Sequence, residues 1–263
     1  MIASIIAAFE PPTTKDFVWS CWGPTLRLPG VPLCLNFILF LVLLGFVLFI
    51  AFFSLSLRRS QVVPGKFQSL AELGIQFIRE NIALPMIGPD EADRFMPLLT
   101  TLFFAILFWN IFEVVPLISF SPNSRLAFPL VMAVIVWFTY NAVGISKHGI
   151  FGYLKHVAVP PGAPWWLLWL LVPIEIITQI IIRPITLTVR LWANFMAGHF
   201  LLAVFFLGTI AMLQGGITVI FAPFSAVISV ALVGFEIFVS LLQAFIFAIL
   251  TASYIGGAMA EEH

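Results

Sequence analysis

The sequence predicts an all-α integral membrane protein. It has about five transmembrane helices, one amphipathic helix on the membrane surface, and a last pair of spans forming a long, tilted antiparallel hairpin. Three observations carry this reading. The 263 residues are 62% hydrophobic and only 9% charged, where soluble domains run near 25% charged. Mean hydropathy is +1.12. Apolar stretches long enough to cross a bilayer, which takes about 20 residues, recur along the chain and are separated by turn-forming or charged segments.

Residues 1–34 mix Pro, Trp and polar groups and read as an extracytoplasmic N-terminal segment; residues 35–263 form the membrane domain. Met1–Phe9 is apolar but lacks a basic n-region and is too short to span, so it is not read as a signal peptide. Cys21 and Cys34 are read as free thiols, with a disulfide as the alternative if that end faces an oxidising compartment. The first span is about Leu35–Leu57 and ends at Arg58-Arg59. After the turn Val63-Pro64-Gly65-Lys66, residues 67–84 place Phe67, Leu70, Leu73, Gly74, Phe77 and Ile78 three or four apart among polar residues. That periodicity is amphipathic and too polar to span, so the helix lies along the membrane surface.

Residues 85–94 form a polar loop, and the second span, about Phe95–Ile118, carries Asn110 and Glu113. The third span is about Leu126–Ile145, followed by a loop over 146–164. The fourth element, about Trp165–Leu207, and the fifth, about Val219–Ile255, are both over-long and meet at Gln214-Gly215-Gly216. Tilt accommodates such lengths, and 165–258 is read as an ion-channel hairpin. The Arg58-Arg59-Lys66 cluster and the Lys147/Lys155 loop fall on one side, which the positive-inside rule makes cytoplasmic. The N-terminus is then outside and the C-terminus inside, although Lys15, Arg27 and Arg125 count against this assignment.

Net charge is zero, so nothing points to a nucleic-acid partner. No GxxxxGK[ST] loop, nucleophile triad or zinc spacing is present. No catalytic residue, cofactor, metal or bound nucleotide is expected. The chemistry lies instead in charges kept inside apolar spans. The fourth element carries Glu175, Arg183, Arg190 and His199. Each costs at least a few kcal/mol at membrane depth. A guanidinium cannot shed its charge, whereas Glu and His can go neutral.

In an antiparallel hairpin, residues at equal depth have numbers summing to a constant. Arg190 with Gln243 gives 433 and His199 with Glu236 gives 435. At about 100° per residue, Gln179, Arg183, Thr186, Arg190 and Asn194 share a stripe, with His199 half a turn away. Titratable groups therefore lie on either side of a permanent cation, an arrangement suited to proton relay. Plainer roles are open to each residue: Arg190 as a structural arginine, His199 in packing, Glu113, Glu175 and Arg183 solvated at interfaces, Gln243 and Asn194 as helix–helix glue.

The segment RPITLTVRLWANFMAGHFL at 183–201 resembles the signature of subunit a of F-type ATP synthases. LQAFIF at 242–247, with Leu250-Thr251 and Tyr254, is similar to that family's last helix, and Asn110, Glu113 and Pro116 resemble its Asn-x-x-acid-x-x-Pro segment. Trp192-Ala193 departs from the commoner Phe-Gly. The resemblance covers about 35–260. It implies a stator subunit beside a rotating ring of c subunits, each with one membrane carboxylate, together with peripheral-stalk b subunits, in a bilayer across which H+ is translocated. It implies Arg190 as the essential cation with Gln243 and Asn194 beside it. His199 and Glu236 then line an outer half-channel reached past Glu113, and Glu175 lies near an inner one. The C-terminal Gly-Ala-Met-Ala-Glu-Glu-His points to a bacterial, actinobacterial plasma membrane, with the mitochondrial inner membrane as alternative. Two other classes remain: a secondary transporter or channel using Arg190 as a substrate anchor, and a purely structural assembly protein.

Overall fold

The structure, a computed structural model, describes residues 26–28, 31–33, 36–57, 65–115, 118, 120–159, 165–213 and 216–260. Cys21, Cys34, Arg58-Arg59, Pro116 and the terminal Glu261-Glu262-His263 lie outside the described residues. A short antiparallel ladder pairs β1 (Leu26–Leu28) with β2 (Val31–Leu33). Every longer element is helical: α1 (Phe37–Leu57), α2 (Lys66–Ile78), α3 (Leu84–Ile87), α4 (Ala92–Val114), α5 (Ala127–Ala158), α6 (Leu168–Ile177), α7 (Arg183–Leu213) and α8 (Ala222–Met259). Among the described residues, five helical runs are long and apolar enough to cross a membrane, as the sequence predicts.

Local chemistry sets the element boundaries. Asn36 caps α1, its side-chain oxygen accepting the Leu39 N–H at 2.9 Å. The predicted amphipathic helix is found as α2. Phe67, Leu70, Leu73 and Phe77 are exposed, while Gln68, Ala71 and Ile78 are buried. The stripe is divided: Phe67, Leu70 and Leu73 point outward, while the Phe77 ring packs on Phe103 and Phe245 and Ile78 is buried. The predicted polar loop 85–94 is largely helical: a π-helical turn over Arg79–Ala83 leads into α3, and α4 already starts at Ala92. Arg79 forks onto Asp93 at 2.9 Å and 3.1 Å, tying this segment to the start of α4.

The predicted loop after the third span is also corrected. Helix runs through Ala158, with one break at Gly149, whose φ of 72° is the left-handed conformation a glycine takes most easily. The chain reverses there, so that Tyr153 lies against Gly144. The fourth run extends from Trp165 to Leu213 and the fifth to Met259. Both are longer than predicted, because Gly208–Leu213 and Gly256–Met259 carry neither charge nor proline and the helices continue through them.

The chain divides into two compact units. The first holds residues up to Leu48, Leu107–Ser124 and Trp192–Gln243; the second holds Phe49–Ile106, Arg125–Leu191 and Ala244 onward. In the first, Phe120 packs on Phe37 and Phe195, and Trp109 fills the space beside Gly45. In the second, Phe104 packs against Phe52, Phe53 and Gly74.

Candidate functional site

Arg190 lies near the middle of the 49-residue run Trp165–Leu213. Its side chain is exposed, on a stripe of α7 otherwise made of Ile185, Thr186, Val189, Ala193 and Ala197. The neighbouring Leu187, Thr188 and Leu191 are buried. The cation thus points away from the body of its own chain. Asn194, one turn further along α7, is half-buried.

The first unit contains the other groups predicted for the outer side. Within it, α7 and α8 run as an antiparallel pair whose register matches the sequence expectation. The Thr209 and Ser225 hydroxyls hydrogen-bond at 2.7 Å, and the carboxyl of Glu236 lies against Gly198; both pairs sum to 434. Glu236 is therefore held one residue from the depth of His199. Glu236 is 3% exposed, and the His199 ring stacks on Phe195 at 5.6 Å and meets the Phe120 ring edge-on.

Glu113 is buried too, and is near enough to Glu236 to interact with it electrostatically. Beside it, Asn123 donates to the Asn110 side-chain oxygen at 2.7 Å, and the Trp192 indole N–H donates to the Ser124 carbonyl at 3.2 Å. Asn110 Nδ2, Glu113 Oε1, Asn123 Oδ1 and Ser124 Oγ are buried with no hydrogen-bond partner among the described residues. Buried polar atoms of this kind ordinarily bind water. Ser240 Oγ and Gln243 Nε2 are in the same state. No group of acids, histidines or cysteines able to hold a metal occurs among the described residues.

The second unit holds Glu175, half-buried on α6, and a π-helical turn over Thr178–Ile182 that joins α6 to α7. Gln179 sits in this turn and is buried. Tyr140 donates to the Gln179 carbonyl at 2.8 Å; the Gln179 amide donates to the Tyr153 hydroxyl at 2.9 Å; Tyr153 donates to the Asn141 side chain at 2.9 Å. The Arg183 guanidinium lies 4.7 Å over the ring of Tyr254 and 5.9 Å from that of Tyr140. The chain has three tyrosines, and all three meet here. Tyr140 and Tyr153 escaped the sequence reading; the signal available was the scarcity of tyrosine in so aromatic a chain.

The π turn also revises the predicted polar stripe. Counting every residue as α-helical aligns Gln179 with Arg183 and Arg190, but the wide turn interrupts that count. Gln179 is buried, Arg183 half-buried, and Thr186 and Arg190 exposed.

An exposed arginine in mid-span together with buried Glu113 and Glu236 within the described helices is the arrangement of a membrane protein suited to moving ions. Comparison with known proteins narrows this. The family model described as ATP synthase A chain matches residues 37–256. ATP synthase subunit a of Rhodococcus erythropolis is 41% identical over 97% of this chain and 92% of its own length. The Nocardioides subunit a is 40% identical over 97% and 95%, and that of Streptomyces lividans 38% over 85% and 79%. The chain belongs to the ATP synthase subunit a family.

Proposed function

We propose that this chain is the proton-translocating stator subunit of a bacterial ATP synthase, offering two offset half-channels to the carboxylates of a rotating c-ring. The observation that carries the reading is the exposed Arg190 in mid-span. A permanent cation facing hydrocarbon is too costly to keep, so the face must meet a partner bearing negative charge at that depth. A ring of membrane carboxylates supplies such charge.

In this reading a proton enters from outside past Glu113, Glu236 and His199 and neutralises a ring carboxylate. The buried orphan atoms around Asn110 and Asn123 support a hydrated entry. The neutral ring site then rotates into lipid. A returning protonated site releases its proton to the inner side near Glu175. The resulting anion is drawn to Arg190, which also blocks a direct leak between the half-channels. Asn194 and Gln243 moderate the attraction with their dipoles, since full Coulomb attraction at low dielectric would trap the ring. The chain is not catalytic alone; it works with the c-ring and the peripheral-stalk b subunits. It lies in the plasma membrane with its N-terminus outside and its C-terminus in the cytoplasm.

The test is ATP-driven acidification of inverted membrane vesicles carrying Arg190→Ala, with assembly checked by co-purification. Lost pumping in an assembled complex is the expected result. Pumping at the wild-type level would overturn the reading. If Arg190→Ala does not assemble, Arg190→Lys is tested in the same way.

A further inference from the structure

The π turn between α6 and α7 has a local cause. Pro184 has no N–H, and its ring crowds the carbonyl four residues earlier. The Arg183 N–H bonds to the Thr178 carbonyl, five residues back, which widens the turn by one residue. The Gln179 carbonyl then loses both donors the helix could offer: Arg183 N–H is taken and Pro184 has none. Tyr140 supplies the missing donor at 2.8 Å. The Gln179 side chain, bonded to Tyr153, anchors the same residue from its other end. The π turn at Arg79–Ala83 follows the same rule, with the Leu84 N–H reaching the Arg79 carbonyl just before Pro85.

The turn changes which groups face the same way. From Glu175 to Arg190 there are fifteen steps. At about 100° each, a uniform α-helix would set the two about 60° apart. One surplus residue absorbed by the wide turn leaves fourteen effective steps, and the offset becomes about 40° in the opposite sense. We propose that Gln179, with Tyr140 and Tyr153, pins this π turn and thereby sets the angle between the inner acid Glu175 and the cation Arg190. These three are positioning residues. They act through the phase of the helix. The proposal rests on the ion-path reading for its functional consequence, but the phase shift itself does not.

Replacing Gln179 by Leu removes the side-chain anchor, and Tyr140→Phe removes the donor to its carbonyl. Each should lower ATP-driven proton pumping severalfold in an assembled complex. A merely structural Gln179 is separated by a rescue. Deleting Ile181 removes the surplus residue, so a regular α-helix then keeps the native Glu175–Arg190 angle. The deletion combined with Gln179→Leu should restore pumping toward the wild-type level. An assembled double variant no better than Gln179→Leu alone would overturn the proposal.

A second measurement needs neither variant to fold. In full complexes with Cys21 and Cys34 replaced by serine, single cysteines across 170–177 and 183–190 are probed with a charged thiol reagent. The reactive positions should fall on one stripe only when one residue between 178 and 182 is skipped. A stripe that is continuous without the skip would overturn the proposal. If Arg190→Ala vesicles still pump, the ion-path reading fails while the thiol pattern still decides the phase.

Discussion

The carboxyl group of Glu236 occupies the space beside Gly198 that a Cβ would fill. This one contact joins α7 to α8 at the level of His199, and it explains why a glycine stands in the middle of a span. Small residues let helices and their polar groups approach closely where lipid offers no hydrophobic drive.

Gly198→Ala should therefore displace Glu236 from its seat. We expect pumping to fall severalfold, with a stability cost of about 1–3 kcal/mol from overpacking. Gly208, with nothing within 4 Å of a Cβ built on it, provides the control: Gly208→Ala should leave pumping and assembly unchanged. Vesicle acidification and detergent-solubilised complex stability report both.

A second glycine makes a harder demand. A Cβ at Gly256 would strike the backbone carbonyl of Met86, and backbone cannot rotate aside as a side chain can. Gly256→Ala should loosen the docking of the 84–88 segment onto the end of α8. Increased proteolysis between Arg79 and Arg94 checks it, and Gly234→Ala, whose added Cβ meets no described residue within 4 Å, should cut no faster than wild type.

Arg183 stands over the Tyr254 ring at 4.7 Å. Tyr254→Phe keeps a π face for the guanidinium and should be near neutral. Tyr254→Leu removes it and should cost about 0.5–2 kcal/mol, read as a lower melting temperature of the solubilised complex.

The orphan polar atoms around Ser124 predict water. In a complex with Cys21 and Cys34 replaced by serine, Ser124→Cys should react with a small hydrophilic thiol reagent added from outside. Tyr140→Cys on α5, buried and bonded within the second unit, should stay protected from the same reagent. Protection of both positions would remove the support for a hydrated entry.

Much of this was legible in the residues alone. The spans are legible because hydrocarbon tolerates few charges, so apolar length alone locates them. The surface helix is legible because Phe67, Leu70, Leu73 and Phe77 recur at helical spacing among polar residues. The hairpin register is legible because few polar residues interrupt α7 and α8, and pairing them leaves little choice; Thr209 with Ser225 and Gly198 with Glu236 fall within a residue of the predicted constant. Helix after Ile145 was not legible, because Gly149 can either end a helix or turn one, and the packing of Tyr153 on Gly144 selects the turn.

By itself, then, the sequence determined what the bilayer enforces: five spans, one interfacial helix, and a handful of ionisable groups retained at depth against their desolvation cost. Only the tertiary structure decided where those groups point. Pro184 guarantees that a carbonyl near it will lack a helical donor, but a kink, a bound water or a π turn could each answer that lack. The choice depends on whether a donor arrives from elsewhere in the chain. Tyr140, 39 residues away from Gln179, brings that donor, and the angle between Glu175 and Arg190 follows from it.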